Sequence, residues 1–415
     1  MQTWFETAGL GLFVHWDHAS QQGLEISWPL VGGGGILPHA QDVTPEQYHA
    51  SAATFDPVAW DAPALAKLAA EVGVQYAVLT TKHHSGFAMF DTKLDDWSVV
   101  KQSRYGKDIV RQFADAMRAE GIRVGFYYSL CDWHHADYPP FTVAHRPYSM
   151  GRTPPMPPEE QWERFLRFMY GQIRELLTDY GPVDVLWFDG GWERRASQWR
   201  SSELEAMIRE LQPDVVINDR LPRVGDYDTP EQFVPPQPPA RKWETCMTMN
   251  ESWSFNPADH DYKSPRSLVH TLCEVVGRGG NLLLNVSPRG DGSLPPEQVE
   301  RLEHLGAWVR RNGEAVLGVE AGLEAWQHYG PSTRRGNRVY VHCLARPYES
   351  VTVRGVKVRR IERVSELVSG RRLDFTVRTG IVEGFGPDPD GEVTVTVPPE
   401  LIDDDATVLA IDFAP

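Results

Sequence analysis

The chain has only four cysteines in 415 residues, Cys131, Cys246, Cys273 and Cys343, and none are paired at metal-ligand spacing. That argues against a disulfide framework and a thiolate metal knuckle, and free thiols are expected. The first residues, Met1-Gln-Thr-Trp-Phe-Glu-Thr7, lack the basic start and apolar run of a secretory signal. No apolar run approaches the length of a membrane span, so a cytoplasmic protein without a membrane partner is the expectation. Repeats, low-complexity tracts and runs of like charge are absent as well. Positive charge is in deficit: 41 Lys and Arg face 57 Asp and Glu, and a net charge of −16 argues against a nucleic-acid partner.

What is present is an ordinary globular composition. The chain is 41% hydrophobic and 24% charged, enough apolar material for a sizeable core. Its length exceeds a usual single domain and points to a large one followed by a smaller one. Tryptophan is frequent, at 14 residues, which suits sugar or aromatic-ligand pockets but also occurs in large barrels without either.

The most informative stretch is Val183-Asp-Val-Leu-Trp187-Phe-Asp189-Gly-Gly-Trp192. A bulky apolar run with one internal acid reads as a strand buried on both faces, as in a parallel sheet. It stops at a carboxylate followed by two glycines, which lets a ligand come close to that lip. Trp187 and Trp192 would line such a pocket. Taken alone, Asp189 could equally cap the next helix.

The same unit recurs along the chain. Leu10–His15 is a strand that runs into Trp16, and a long loop from Gly23 to Asp42 follows, carrying Glu25, Trp28 and the run Gly32 to Gly35. Asp61 and Gly73 bracket a helix, with Pro63 in its first turn. Val74–Thr80 is then a strand running into Lys82-His83-His84-Ser-Gly86. Asp108 caps a helix ending at Gly121, and Ile122–Tyr128 runs into Asp132-Trp133-His134-His135. A proline-rich loop at Pro154–Pro158 precedes a helix with apolar residues at Trp162, Phe165, Met169, Ile173 and Leu176, which delivers the Asp189 strand. Later come a helix over Ser202–Leu211, a strand Val215–Ile217 before Asn218-Asp219-Arg220, a helix opened by Ser264-Pro265, a strand Asn281–Val286 and a long helix over Pro296–Leu317. This βαβ alternation gives about seven parallel strands, close to a (β/α)8 TIM barrel of the α/β class over residues 1–317. After Leu317, period-two segments such as Arg338–His342 and Glu392–Val397 predict an antiparallel β-sandwich over residues 318–415. No exposed aromatic cluster stands out in that part, so it reads as a buttress more than as a sugar-binding module.

Polar residues collect where a barrel puts its chemistry. His15, His83, His84, Trp133, His134, Asp189 and Arg220 all follow the C-terminal end of a predicted strand. Any one of them could be a loop residue or a cap; seven together define a site.

At these residues the sequence resembles the family 29 glycoside hydrolases, the retaining α-L-fucosidases. The matching motifs are Gly11-Leu-Phe-Val-His15-Trp16, Leu79-Thr-Thr-Lys-His83-His84-Ser-Gly86-Phe87, Tyr127-Tyr128-Ser-Leu-Cys-Asp132-Trp133-His134, Leu186-Trp187-Phe-Asp189-Gly190, Asn218-Asp219-Arg220 and Gly279-Gly-Asn281-Leu-Leu-Leu-Asn285. The resemblance implies hydrolysis of terminal α-L-fucose from glycosides or fucosylated oligosaccharides, with no cofactor or metal. It makes Asp189 the nucleophile and Glu231 the acid/base. His15, His83, His84 and His134, helped by Glu25, would hold the sugar hydroxyls. Trp187, Tyr128 and Trp133 would line the pocket, and Arg220 would lie near the acid/base. Glu244 is the rival for the acid/base and otherwise a residue that holds Arg220 or a histidine in place. Two departures stand out. Asp17 replaces the family's glycine after His-Trp, which predicts a differently shaped first loop, and Glu25-Ile-Ser-Trp28 replaces its Glu-Trp pair, so Trp28 would supply the contact to the sugar's methyl group. Retaining hydrolysis needs two carboxyl groups about 5 to 5.5 Å apart.

Two rival readings follow from the same residues. His15, His83 and Asp189 at strand ends would suit a metal-dependent barrel hydrolase, although no His-x-His or i, i+4 His pair is present. A catalytically inactive fucose-binding protein would keep the same Trp and His residues. Linkage preference is not legible, and a homo-oligomer is left open.

Overall fold

The computed structural model describes residues 2–33, 41–149 and 152–415; Gly34 and Gly35, the end of the glycine run, lie outside the described residues. Seven parallel strands form one sheet: β1 (Leu10–Val14), β2 (Tyr76–Lys82), β3 (Arg123–Ser129), β4 (Val185–Asp189), β5 (Val216–Ile217), β6 (Glu244–Met247) and β7 (Asn281–Val286). Their order is β5-β4-β3-β2-β1-β7-β6, with β5 and β6 at the two edges. Long helices return the chain between them, among them Ala62–Val72, Ile109–Ala119, Glu159–Asp179, Ser201–Leu211, Pro265–Gly277 and Pro296–Asn312. Among the described residues none of the helices is long and apolar enough to cross a membrane.

The helices begin where short polar side chains can take a free backbone N–H. Asp61, Asp108 and Ser264 accept from Ala64, Arg111 and Ser267 at 2.9, 2.8 and 3.1 Å. Their ends explain why two strands start later than the apolar pattern predicts. At the first helix, Gly73 adopts φ 93° and the N–H groups of Gly73 and Val74 turn back to Ala70 and Ala69. Gly121 and Ile122 do the same to Arg118 and Met117. This paired cap uses the N–H of the first apolar residue, so β2 and β3 start at Tyr76 and Arg123. The last long helix closes early, at Asn312, with a single 3-10 turn over Gly313–Ala315.

The gap between β5 and β6 is filled by a segment that carries no helix before or after it. Residues 226–232 run parallel to both edges, bridging Asn218 to Tyr227, Asp228 to Trp243 and Glu231 to Cys246. Asp226 N–H donates to Ile217 O at 2.7 Å, and Glu244 and Gln232 exchange bonds with Asp228 O and Cys246 O at 2.9 Å each. This irregular eighth strand closes the barrel and carries Glu231.

Alternation along the strands separates two apolar cores. Phe13, Tyr127, Trp187 and Cys246 face inward with Phe5, Tyr76 and Trp253. Leu12, Val14, Tyr128, Leu186 and Phe188 face outward against the helices. Beyond the last helix lie two antiparallel sheets: β8 (Glu320–Ala321), β9 (Ser332–Arg335), β10 (Arg338–Cys343), β12 (Ile361–Glu366) and β15 (Thr407–Phe413) form one, and β11 (Ser350–Lys357), β13 (Phe375–Thr379) and β14 (Asp390–Thr396) the other. Val339, Val341, Leu409 and Ile411 pack onto the smaller sheet, while Tyr340, Val408 and Ala410 join the barrel's helical core. The larger sheet is thus wedged between sandwich and barrel, with Trp308 donating to Ala406 O at 3.1 Å across the seam. Trp326, Tyr329, Tyr348 and Phe385 stand in solvent on this C-terminal part, and the sequence alone does not single them out.

Candidate active site

A cavity of about 530 Å³ opens at the C-terminal ends of the barrel strands. Among the described residues it is lined by Phe13, His15, Trp28, His83, Tyr127, Tyr148, Ser149, Trp187, Asp189, Trp192, Arg220, Glu231, Cys246 and Trp253. Asp189 is the last residue of β4 and only 7% exposed. The turn after it admits nothing larger than glycine: Gly190 has φ 71°, and a Cβ there would stand 2.4 Å from Cys131 Sγ. A Cβ on Gly191 would stand 2.1 Å from the Arg220 carbonyl.

Both oxygens of Asp189 are held. Arg220 Nη1 donates to Oδ1 at 3.0 Å and the Tyr127 hydroxyl donates to Oδ2 at 2.9 Å. The other arm of the same guanidinium, Nη2, donates to Glu231 Oε2 at 2.6 Å. Arg220 therefore joins the two carboxylates, and their charges outweigh its burial to hold its pKa well above the ordinary value. Its cation also lies 4.8 Å from the centre of the Trp187 ring.

Two histidines face the cavity, each anchored through Nδ1. His15 Nδ1 lies 2.7 Å from Asn285 Oδ1, and the amide is fixed because Asn285 Nδ2 donates to Trp253 O at 2.7 Å. Nδ1 thus carries the proton and Nε2 is left as an acceptor. Burial lowers the His15 pKa to about 3, so the ring is neutral. His83 Nδ1 lies 2.7 Å from Ser27 Oγ, which already accepts the Ser85 N–H at 2.7 Å. That hydroxyl can both donate and accept a second time, so it anchors Nδ1 in either tautomer and turns Nε2 to the cavity. Burial pushes His83 well below the ordinary range, keeping it neutral too. Two neutral imidazoles side by side suit sugar hydroxyls, which both donate and accept.

Several residues expected on the cavity wall lie elsewhere. Tyr128 points outward from β3 and donates to Gln172 Oε1 at 2.8 Å; Tyr127 takes its place, because neighbours on a strand face opposite ways. The cross-strand register pairs Tyr127 with Trp187 and Tyr128 with Phe188, so it could have shown which tyrosine shares the pocket. His84 is fully buried behind Asp189, its Nε2 3.6 Å from Oδ2 and its Nδ1 2.7 Å from Ser129 Oγ. His134 is exposed and stacks on Trp97 at 4.3 Å, outside the cavity. Trp133 stands one layer back, donating to Glu193 Oε1 at 3.0 Å.

Glu25 turns its carboxylate to the N–H groups of Trp253 and Ser254, both at 3.0 Å, and so holds Trp253 in the wall instead of touching a ligand. Glu244 is fully buried at the start of β6, where it accepts from Trp187 Nε1 at 2.9 Å and from the Tyr76 hydroxyl; it touches neither Arg220 nor a histidine. Asp17 caps the turn after β1 by accepting the Ala19 N–H at 2.7 Å and ties that loop to Ser85 at 3.1 Å. Trp28 does line the cavity. Phe13, Trp253, Cys246, Tyr148 and Ser149 are wall residues the sequence reading does not reach; Phe13, two residues before His15 on a strand, is the one its period-two position could have supplied.

A metal would have to use His83, His84 and Asp189, whose ligand atoms lie within 4.8 Å of one another. The chemistry of that set opposes it. Arg220 already occupies Asp189 Oδ1 with a positive charge, which a divalent ion on that carboxylate would repel.

Comparison with known proteins places this geometry. A family model described as alpha-L-fucosidase matches residues 1–314. The chain is 29% identical over 385 residues to human tissue alpha-L-fucosidase, covering 85% of this chain and 77% of that protein. To the tissue alpha-L-fucosidase of Macaca fascicularis it is 30% identical over 383 residues, with the same coverage. Among solved structures, alpha-L-fucosidase isoenzyme 1 from Paenibacillus thiaminolyticus superposes with a TM-score of 0.85 at 35% identity, covering 99% of this chain and 98% of that one. A Bacteroides thetaiotaomicron alpha-L-fucosidase, solved as a trapped covalent intermediate with 2-fluoro-fucosyl fluoride, superposes at 0.82 with 26% identity, covering 100% and 96%.

Proposed function

The chain belongs to the alpha-L-fucosidase family of glycoside hydrolases, and from that premise we propose that it releases terminal α-L-fucose with retention, Asp189 as nucleophile and Glu231 as acid/base. The observation that carries this reading is the Arg220 fork. With Nη1 on Asp189 at 3.0 Å and Nη2 on Glu231 at 2.6 Å, one planar group sets both carboxylates at the same cavity mouth. That arrangement favours the close spacing of about 5 to 5.5 Å used in double displacement over the wider gap that admits a water.

The two carboxylates differ in the way their proposed roles require. Asp189 is 7% exposed and locked by donors on both oxygens, suiting a group that attacks the anomeric carbon from one direction. Glu231 has a side chain 33% exposed, suiting a group that passes protons to the leaving oxygen and takes one from water. In the first step Asp189 forms a glycosyl ester while Glu231 protonates the departing oxygen. In the second, Glu231 takes a proton from water, whose oxygen displaces Asp189 and restores both groups. Nε2 of His15 and Nε2 of His83 would bind ring hydroxyls. The buried faces of Phe13, Trp187 and Trp253 would take the apolar edge with the methyl group. Trapping of a covalent intermediate in the Bacteroides relative supports a covalent route here.

Proton NMR of the first minutes of turnover tests the proposal: α-fucose should be the initial anomer. Incubation with 2-fluoro-fucosyl fluoride should add one sugar to the peptide holding Asp189. Initial release of β-fucose, or labelling elsewhere, would overturn it.

A further inference from the structure

The cavity is larger than one sugar. Eleven heavy atoms of a deoxyhexose at the packing density of organic matter occupy on the order of 200 Å³, against about 530 Å³ available. Its aromatic rings fall into two groups. The inner group is contiguous: Phe13 to His15 at 4.3 Å, His15 to Trp253 at 4.8 Å, Phe13 to Trp187 at 5.1 Å and Tyr127 to Trp187 at 5.5 Å. All of these are buried, and they surround Asp189 and Arg220. The outer group is Trp28, Tyr148 and Trp192, each half-buried and each from a loop after a different strand. Trp28 meets Tyr148 at 5.3 Å, and Trp192 Nε1 donates to the Tyr148 hydroxyl at 2.6 Å. The two groups meet through His84, which lies 5.5 Å from Trp28 and 6.0 Å from Trp192, with its Nε2 3.6 Å from Asp189.

Resting on the reading of the inner group as the fucose site, we propose that Trp28, Tyr148 and Trp192 form a platform for a ring-shaped leaving group, aryl or pyranose, stacked against ring faces. Glu193 is the residue that positions it. Its buried carboxylate accepts from Tyr148 at 3.2 Å, from Trp133 Nε1 at 3.0 Å and from the Tyr138 hydroxyl, tying two separate loops together. These bonds consume the polar ends of Tyr148 and Trp192, whose N–H and O–H point at each other and at Glu193. What those two rings offer a ligand is face and edge, which bind by stacking and exclude water without choosing among hydroxyl patterns. The leaving group is therefore selected for having a flat apolar face, not for a particular set of hydroxyls.

The test compares kcat/KM on phenyl α-L-fucoside, an α-L-fucosyl-pyranose disaccharide and methyl α-L-fucoside, the last having no ring to stack. In Tyr148→Ala and Trp192→Ala the ratio of either ring substrate to methyl fucoside should fall about tenfold. Tyr148→Phe, which keeps the ring face but loses its ties to Glu193 and Trp192, should give a ratio between wild type and Tyr148→Ala. Glu193→Gln should lower it by raising KM for the ring substrates. A fall confined to the phenyl or to the pyranose arm identifies which ring the platform takes. Ratios unchanged in both alanine variants, or Tyr148→Phe as damaging as Tyr148→Ala, would overturn the platform. A wild-type protein that turned over none of the three would count against the fucosidase reading instead. In that case phenyl α-L-fucoside quenching of tryptophan fluorescence decides the platform alone: quenching in wild type that is lost in Tyr148→Ala supports it, and equal quenching in both overturns it.

Discussion

The Tyr127 hydroxyl donates to Oδ2 of Asp189 at 2.9 Å, so a residue of the neighbouring strand fixes the rotation of the proposed nucleophile's carboxylate. Tyr127→Phe removes that bond while keeping the ring stacked on Trp187. We expect kcat on an aryl fucoside to fall about 10- to 100-fold, somewhat below the loss typical of an oxyanion-hole donor. Tyr128→Phe should behave differently. Its hydroxyl serves Gln172 and the Lys82 ammonium behind the strand, so stability should drop by about 1 kcal/mol with kcat nearly unchanged. Steady-state kinetics beside thermal melts would separate the two; equal kinetic losses would contradict this account of the site.

Removing Asp189 should abolish turnover and removing Glu231 should make it depend on the leaving group. Asp189→Gly is expected to lose at least about 10³-fold in kcat while folding normally, with azide restoring activity through the opened space. Glu231→Ala should lose far more on a disaccharide, whose leaving oxygen needs a proton, than on an activated aryl fucoside. Uniform losses on both substrates would remove Glu231 from the acid/base role.

Histidine substitutions divide by position. His15→Ala and His83→Ala should each lower kcat/KM about 10- to 100-fold, because bonds to ring hydroxyls tighten in the transition state. His134→Ala should stay near wild type in kinetics and within about 0.5 kcal/mol in stability, since it stacks on Trp97 at the surface. A large kinetic defect in His134→Ala would mean that its loop folds over the substrate.

The barrel's framework is legible in the chain where an apolar run ends in strong punctuation. The strand closing at Asp189-Gly-Gly191 and the strand at Asn281–Val286 follow directly from such runs. The eighth strand is not legible. The chain there reads Tyr227-Asp-Thr-Pro230-Glu231-Gln, with no apolar run or alternation, and only its bonds to β5 and β6 make it extended. The choice between Tyr127 and Tyr128 fails for a related reason: a strand buried on both faces shows no polar alternation to mark its inner side. Glu25 follows β1 and Glu244 opens β6, but their partners lie 228 and 57 residues away in the chain, so only the fold reveals that they hold Trp253 and Trp187.

Metal chelation should leave the enzyme unaffected. Arg220 already supplies positive charge at Asp189, 3.0 Å from Oδ1, so a divalent ion at His83, His84 and Asp189 would meet direct repulsion. Activity after overnight dialysis against EDTA should match the untreated enzyme, and added zinc or manganese should not raise it. A loss on chelation that zinc restores would return the case to a metal hydrolase.

Glu244 makes the last prediction, one of stability against pH. Burial raises its carboxyl from 4.5 to about 7 while it accepts the Trp187 indole N–H at 2.9 Å. Between those values the folded protein holds a proton that the unfolded chain has released. Stability therefore falls as pH rises through this window: the contribution is complete below about pH 4.5 and gone above about pH 7. The buried histidines act in the opposite sense. His15, lowered from 6.5 to about 3, loses stability as pH falls through that range, so the wild-type profile alone cannot isolate Glu244. Glu244→Gln can, because glutamine keeps an acceptor for Trp187 and removes the titration, while its altered contact with the Tyr76 hydroxyl adds an offset that does not vary with pH in this range. Relative to wild type, the variant should gain on the order of 2–3 kcal/mol between pH 4.5 and pH 8, read as a melting temperature that rises by several degrees against wild type at pH 8 compared with pH 5. A wild-type-to-variant difference that stays constant from pH 5 to pH 8 would show that Glu244 does not titrate there.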